Sequence, residues 1–187
     1  MSIKRCEWAN NNKLLEEYHD KEWCIPVHDD RKLFEFLILE GAQAGLTWVT
    51  VLKKRENYRK AFDNFDFKKI AEYDEKKIKE LLSNEGIIRN KLKIIATIQN
   101  AKALLQIQKE FGSFDSYIWQ FVNYKQIRNS WKSLKQLPTT TKESDAMSID
   151  LKNRGFNFVG PTICYAFMQA VGMVNDHTTD CFRYKEV

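Results

Sequence analysis

The sequence predicts an all-α fold, and three observations carry that reading. The chain has 7 Gly and 3 Pro in 187 residues, too few for the turn-rich strands of a sandwich or a doubly wound sheet. Cap residues (Asp29, Thr47, Ser113, Ser144) stand ahead of apolar residues at helical spacing. A composition of 43% apolar and 13% aromatic residues supports a real core at this length and excludes a disordered chain. A single domain over 1–187 is expected, with two helical lobes and both termini in one of them.

In chain order, Asp29 and Asp30 cap a helix whose Leu33, Phe34, Leu37 and Ile38 form an apolar face that ends at Glu40. Thr47 caps the next, with Trp48, Val51, Leu52 and Phe62 inward and a basic outer side of Lys53, Lys54, Arg55, Arg59 and Lys60. Short helices follow near 67–72 and 75–82. Residues 84–91 read as a turn into a long helix with Leu92, Ile95, Ile98, Leu104 and Leu105 inward, stopped by Gly112. Ser113 opens a helix through Trp119, and residues 123–143 are compositionally loose. Ser144 opens a helix ending at Gly155, a tight loop runs from Gly155 to Gly160, and Pro161 suits the first turn of the next helix. The uncharged stretch 155–175 is interrupted by Asn157, Gly160, Pro161 and Gln169, so it reads as a buried helix and not a membrane span.

The net charge is +5, but residues 50–110 carry 15 basic and 9 acidic side chains. That middle region suits an anionic partner such as nucleic acid, or equally a solvated lysine-rich surface. Residues 1–8 lack the apolar run of a secretory signal, so a cytoplasmic location with reduced cysteines is expected.

His177 and Cys181 are spaced to put both ligand atoms on one side of a turn, and Cys6 and His19 form a second pair near the other terminus. Two thiolates and two imidazoles suit one tetrahedral Zn²⁺, and four protein ligands make such a site structural. The spacing alone fits four packed, metal-free residues equally well. Cys24 and His28 could stand in for a member of the set, whereas Cys164, within Ile163-Cys-Tyr-Ala-Phe167, reads as core. Glu40 is the acidic residue most out of place. A carboxylate amid so much apolar sequence must be paired or do chemistry. Trp8, Tyr18 and Trp23 lie close in sequence to Cys6 and His19, and Trp48 follows Glu40. Aromatic rings around one carboxylate can form a pocket for a flat ring, or simply a core.

The combined pattern resembles the DNA-3-methyladenine glycosylase I family of helix-hairpin-helix enzymes. The motifs that carry it are Arg5-Cys6-x-Trp8, Tyr18-His19-Asp20-x-Glu22-Trp23, Leu39-Glu40-Gly41-x-Gln43-Ala44-Gly45-Leu46-Thr47-Trp48, Val51 to Glu56, Gly86-Ile87-Ile88-Arg89, and Gly155 to Gly160 through Asn175-Asp176-His177. The resemblance spans roughly residues 4–181.

It implies a monomeric, monofunctional enzyme that acts on double-stranded alkylated DNA, hydrolyses the N-glycosidic bond and frees 3-methyladenine without strand cleavage. It also implies a zinc on Cys6, His19, His177 and Cys181, joining the N- and C-terminal segments. The base would be held by Glu40, Tyr18 and Trp48, with Trp8 and Trp23 completing the wall and Glu40 as the catalytic carboxylate. On the DNA side it implies Gly45 and Leu46 as the element pushed into the duplex. Gly155, Phe158, Gly160 and Thr162 would form the phosphate-binding hairpin, and Arg89 and Lys91 would assist. Three departures stand out: Cys24 where glycine is expected, Ala42 where glutamine is common, and a short C-terminal end. The wider superfamily often carries an aspartate where this chain has Asn175. Asp176 is one residue out of register, so neither is assigned.

Overall fold

A computed structural model describes residues 3–187; Met1 and Ser2, at the start of the segment read above as free of a signal, lie outside it. Among the described residues the chain forms nine α-helices: α1 (Lys13–Lys21), α2 (Asp30–Gln43), α3 (Trp48–Ala61), α4 (Phe67–Ala71), α5 (Glu75–Ser83), α6 (Lys91–Phe111), α7 (Phe114–Trp119), α8 (Lys142–Asn153) and α9 (Pro161–Ala170). Two-residue strands, β1 (Ile127–Arg128) and β2 (Val174–Asn175), are the remaining regular pairing. The fold is mostly helical, and no described helix is long and apolar enough to cross a membrane.

Local chemistry sets the helix ends. Side chains of Asn12, Asp29, Thr47, Asp66, Asp74, Asn90, Ser113 and Thr141 each accept N–H groups of the first turn that follows. Gly112, at φ +84°, ends α6. The cap of α8 is Thr141 and not Ser144, because the two form a reciprocal capping box that places Ser144 inside the first turn. That helix ends at Asn153, ahead of Gly155.

Every residue of α2 from Leu33 to Ala42 is buried. The single face expected from the sequence is therefore too narrow: α2 is the central helix, touching α3, α6, α7 and α9. Arg55 also departs from its expected place on a solvated face. Its guanidinium is buried, donating to both carboxylate oxygens of Glu22 at 2.9 and 2.7 Å and to Glu35 at 2.8 Å. Leu92 is 68% exposed instead of inward. The inner stripe of α6 runs through Ile94, Ile98, Ala101 and Leu104, and a residue two positions before Ile94 lies about 200° away around the helix.

The loose stretch 123–143 is anchored. Its strand β1 pairs in parallel with β2, Ile127 opposite Val174 and Arg128 opposite Asn175. Buried Asp176 accepts from Asn129 (2.7 Å) and Trp131 (2.8 Å) on one oxygen, and from Tyr165 (2.5 Å) and Gln169 (2.8 Å) on the other. Asn175 donates to the carbonyls of Tyr184 and Val187. Both residues left unassigned by the sequence are thus structural ties between β1, α9 and the C-terminal segment.

Gly172 joins α9 to β2 at φ +71°, and a Cβ there would lie 2.3 Å from backbone atoms of Ile25 and Pro26. Gly112 has the same kind of φ but open space around it. Gly172→Ala is therefore expected to cost about 3 kcal/mol or more, and Gly112→Ala about 1 kcal/mol. Thermal melts of the two variants check this; equal losses would reject the close-approach argument.

Candidate functional site

The two chain ends meet at four buried side chains. Cys6, His19, His177 and Cys181 place their ligand atoms within 4.8 Å of one another. The Sγ of Cys6 lies 3.5 Å from His177 Nδ1, and the Sγ of Cys181 lies 3.4 Å from His19 Nε2 and 3.5 Å from His177 Nδ1. A tetrahedral zinc with sulfur at about 2.3 Å and nitrogen at about 2.0–2.1 Å requires neighbouring S···N separations of about 3.5 Å. The donor set and its spacing therefore fit a metal ion. Outside these four, His19 Nδ1 hydrogen-bonds Asp20 at 2.8 Å, and Asp20 is held in turn by Arg5. A carboxylate behind a ligating imidazole fixes its tautomer and orientation. Cys24 lies outside the set; its buried sulfur accepts the Asp176 N–H at 3.4 Å. His28 pairs with Asp115 on the surface, and Cys164 is core.

Aromatic rings pack directly on this cluster. Trp23 stacks on His19 at 6.0 Å and meets His177 edge-on at 4.8 Å. Trp8 contacts Trp23 at 4.9 Å and His19 at 5.4 Å, and Trp48 lies 5.3 Å from Tyr18. These rings wall a cleft of about 220 Å³ that Trp8, Tyr18, Trp23, Glu40 and Trp48 all line. The five base-pocket residues implied by the resemblance are thus brought together. Gln43, Leu134, Leu137, Ala166 and Gln169 line the same cleft and were not foreseen. Gln43 sat inside a quoted motif, but nothing in the loose stretch marked Leu134 or Leu137.

Helix α2 carries two buried carboxyls in opposite circumstances. Glu35 is met by Arg55 and Arg59. Glu40, 5% exposed, has no ion pair or side-chain hydrogen bond among the described residues, and burial raises its pKa from 4.5 to about 8. Tyr18 is pushed well above its ordinary value, first by burial and then by the neighbouring Glu40 charge. The Trp48 Nε1 is buried without a hydrogen-bond partner among the described residues. A cleft that holds an unmatched acid, a phenol and an indole N–H offers contacts to a flat polar ligand.

The residues implied for DNA lie on surface turns. Gly45 adopts φ +79° just after α2, and Leu46 beside it is 42% exposed. Gly155, at φ +89°, and Gly160 bracket the turn between α8 and α9, with Thr162 exposed in the first turn of α9. Phe158 is half-buried at φ +57°, and a Cβ on Gly41 would come within 3.2 Å of its Cβ. The α8–α9 turn is therefore pressed against the end of α2, one residue from Glu40. Asn100 on α6 holds the same turn from below, exchanging two hydrogen bonds with the Asn157 backbone at 2.8 and 3.0 Å. Arg89 and Lys91 are exposed, Arg89 beside Glu85 at 3.6 Å.

The methyladenine glycosylase family model matches residues 8–184. The chain belongs to that family. It is 49% identical over 182 residues to DNA-3-methyladenine glycosylase 1 of Escherichia coli, covering 97% of each chain. It is 50% identical over 177 residues to the DNA-3-methyladenine glycosylase of Haemophilus influenzae, covering 95% of this chain and 96% of that one. A solved structure of a Tyr-to-Phe variant of 3-methyladenine DNA glycosylase I in complex with 3-methyladenine superimposes with a TM-score of 0.93 at 32% identity, over 96% of this chain and 97% of that one.

Because the folded pKa of Glu40 is raised to about 8, the native protein keeps a proton that the unfolded chain releases near pH 4.5, so stability falls as pH rises through that window. Glu40→Gln removes the titration. The variant and the parent are expected to melt together near pH 5, the parent falling behind by on the order of 3 kcal/mol at pH 9. Melting curves that stay parallel across this range would reject the unpaired-acid argument.

Proposed function

We propose that this methyladenine glycosylase family member hydrolyses the N-glycosidic bond of 3-methyladenine in alkylated double-stranded DNA, releasing the free base and leaving an abasic site. The observation that carries the reading is Glu40, a buried carboxyl without a partner among the described residues, in a cleft walled by Tyr18, Trp8, Trp23 and Trp48. Methylation at N3 leaves the purine cationic and already a good leaving group. The C–N bond breaks with its electron pair passing to the base, and water adds to the sugar carbon and gives up a proton. Selectivity is what the protein must supply. A cationic base brings Glu40 the counter-charge that the fold withholds, and neutral adenine brings none. Tyr18 provides a second polar contact and Trp48 a stacking platform.

Leu46, on the Gly45 turn, fills the space that the extruded base leaves. Helices α8 and α9 with Gly155, Phe158 and Gly160 act as the helix-hairpin-helix element, its amides and Thr162 meeting a phosphate while Arg89 and Lys91 add positive charge. Such contacts hold any sequence, as a search for a lesion needs. Cys6, His19, His177 and Cys181 hold one structural Zn²⁺, whose four protein ligands leave no open position for hydrolytic chemistry. The whole chain works as a cytoplasmic monomer: one domain of two helical lobes, both termini in the lobe that the zinc closes. The reaction stops at the abasic site, since no lysine is assigned as a Schiff-base nucleophile.

Incubation with methylated duplex DNA is expected to release 3-methyladenine without cutting the strand. A protein that binds this DNA and releases no base would be a non-catalytic module, and the reading would fail. Glu40→Ala should lower kcat/KM by about 10²-fold or more with the fold intact; an unchanged rate removes Glu40 from the role. Since the ionised carboxyl is the form that favours a cation, kcat/KM should rise with pH to a plateau above about 8, the pKa of the empty site. That limb should vanish in Glu40→Gln. Metal analysis should find one zinc per chain, and a chelator should lower the melting temperature and expose the Cys6 and Cys181 thiols to modification; a metal-free protein with the same stability contradicts the zinc assignment.

A further inference from the structure

Lys93 stands in the first turn of α6, and its ammonium reaches across to the end of α2. There it donates to the carbonyl oxygens of Ala42 at 2.8 Å and Ala44 at 2.7 Å. Those carbonyls lie on either side of Gln43, the last residue of α2. The chain reverses at this point: Ala44 leaves the helix at φ −47°, ψ 116°, the Leu46 N–H returns to the Gln43 carbonyl at 2.6 Å, and Gly45 takes φ +79°. A helix C-terminus leaves carbonyls unpaired and bears partial negative charge, so an ammonium is favoured there on both counts. The other hydrogen bonds of the turn are local, from Ala44 to Gly41 and from Leu46 to Gln43. Lys93 is the tie that comes from a different helix. Its position is itself fixed, because the next residue, Ile94, belongs to the core stripe of α6 and Asn90 caps that helix. The stem lines the small internal space bounded by Tyr58, Thr97 and Phe158, the residue of the α8–α9 turn nearest Gly41.

We propose that Lys93 is a positioning residue for base extrusion: by bridging the Ala42 and Ala44 carbonyls it sets the angle at which the turn presents Leu46 to the duplex. This rests on the reading of the chain as a glycosylase that extrudes its base past Leu46. Lys93 touches neither base nor sugar in this role. Its ammonium is engaged by two carbonyls, and its contribution is to keep an exposed turn from relaxing when an apolar side chain is pressed between stacked bases. Misplacing such a group by about 1 Å can cost on the order of 10²-fold in rate even when the chemistry itself is untouched.

The test is Lys93→Met, which removes both hydrogen bonds and keeps most of the stem. Excision of 3-methyladenine from duplex DNA is expected to fall about 10- to 100-fold in kcat/KM, whereas binding of free 3-methyladenine, read by tryptophan fluorescence, stays within about 2-fold. A residue needed only for folding would move both readouts together. Lys93→Arg, which can still reach two carbonyls, should recover part of the loss. Adding Lys93→Met to Leu46→Ala should cost no more than Leu46→Ala alone, because the turn then presents nothing to position. The proposal is overturned if Lys93→Met keeps its duplex rate, if free-base binding falls in parallel, or if the two losses multiply. A parent protein that releases no base from methylated duplex DNA overturns the glycosylase reading and this one together; an active parent with an unimpaired Lys93→Met overturns this one alone.

Discussion

A carboxyl group buried without a partner destabilises the protein that contains it, and the surroundings of Glu40 are arranged to hold it in that state. Helix α2 supplies the compensation. Its buried run from Leu33 to Ala42 contacts α3, α6, α7 and α9, so the acid is carried by a helix enclosed by its neighbours. Glu35, five residues earlier on the same helix, shows what an ordinary solution looks like: Arg55 and Arg59 neutralise it, and Arg55 also grips Glu22. The fold has arginines to spare for one buried carboxylate and leaves the other unmatched at the cleft. The difference between those two glutamates separates a structural ion pair from a group that the proposed reading makes a binding site for charge.

Rigid walls are the second requirement, since an unmatched acid would otherwise be relieved by side chains shifting or by water entering. The cluster of Cys6, His19, His177 and Cys181 supplies rigidity from outside the cleft. Trp23 lies on the His19 ring, Trp8 on Trp23, and Asp20 with Arg5 fixes His19 from behind. The ends of the chain are tied again by the Phe182 N–H to the Lys4 carbonyl at 2.9 Å. Opening the terminal cluster would therefore loosen two of the three tryptophans that line the cleft. On the proposed reading, a zinc that takes no part in bond breaking would still bear on recognition through that aromatic contact.

Much of this was legible in sequence because it depended on local chemistry: caps, glycine stops and the 3.6-residue period placed most helices, and residue type singled out Glu40. Spacing put forward the four metal-capable side chains while leaving Cys24 and His28 open until the resemblance chose among them. What escaped depended on tertiary context. The all-round burial of α2 hides behind a modest periodicity. Arg55 reads as a surface charge until Glu22 and Glu35 close on it. The loose stretch 123–143 carries no pattern of its own; it is ordered by β2 and by Asp176, which accepts from its Asn129 and Trp131 while Tyr165 and Gln169 of α9 hold the other carboxylate oxygen. Leu134 and Leu137 enter the cleft wall only as a result. The departure at Cys24 has a local explanation that only the backbone reveals. The residue sits at φ +64°, where glycine is the natural choice, and a fully buried sulfur bonded to the Asp176 N–H accompanies the strain.

On the proposed reading, base reading and DNA holding lie on different elements, which the fold brings together at one point. The α8–α9 turn is held by Asn100 from α6 and lies against Gly41, where a Cβ would crowd Phe158 at 3.2 Å. Gly41 follows Glu40 directly, and Ala44 through Leu46 complete the same helix end, tied back to α6 by Lys93. A phosphate gripped at the start of α9 would thus be a short, stiff distance from both the acid proposed to discriminate the base and the turn proposed to displace it. On that reading backbone amides meet a phosphate, a contact that carries no sequence information, so the grip is indifferent to sequence. The discrimination can then rest on charge and ring shape alone, which is what a lesion defined by one methyl group and one positive charge demands.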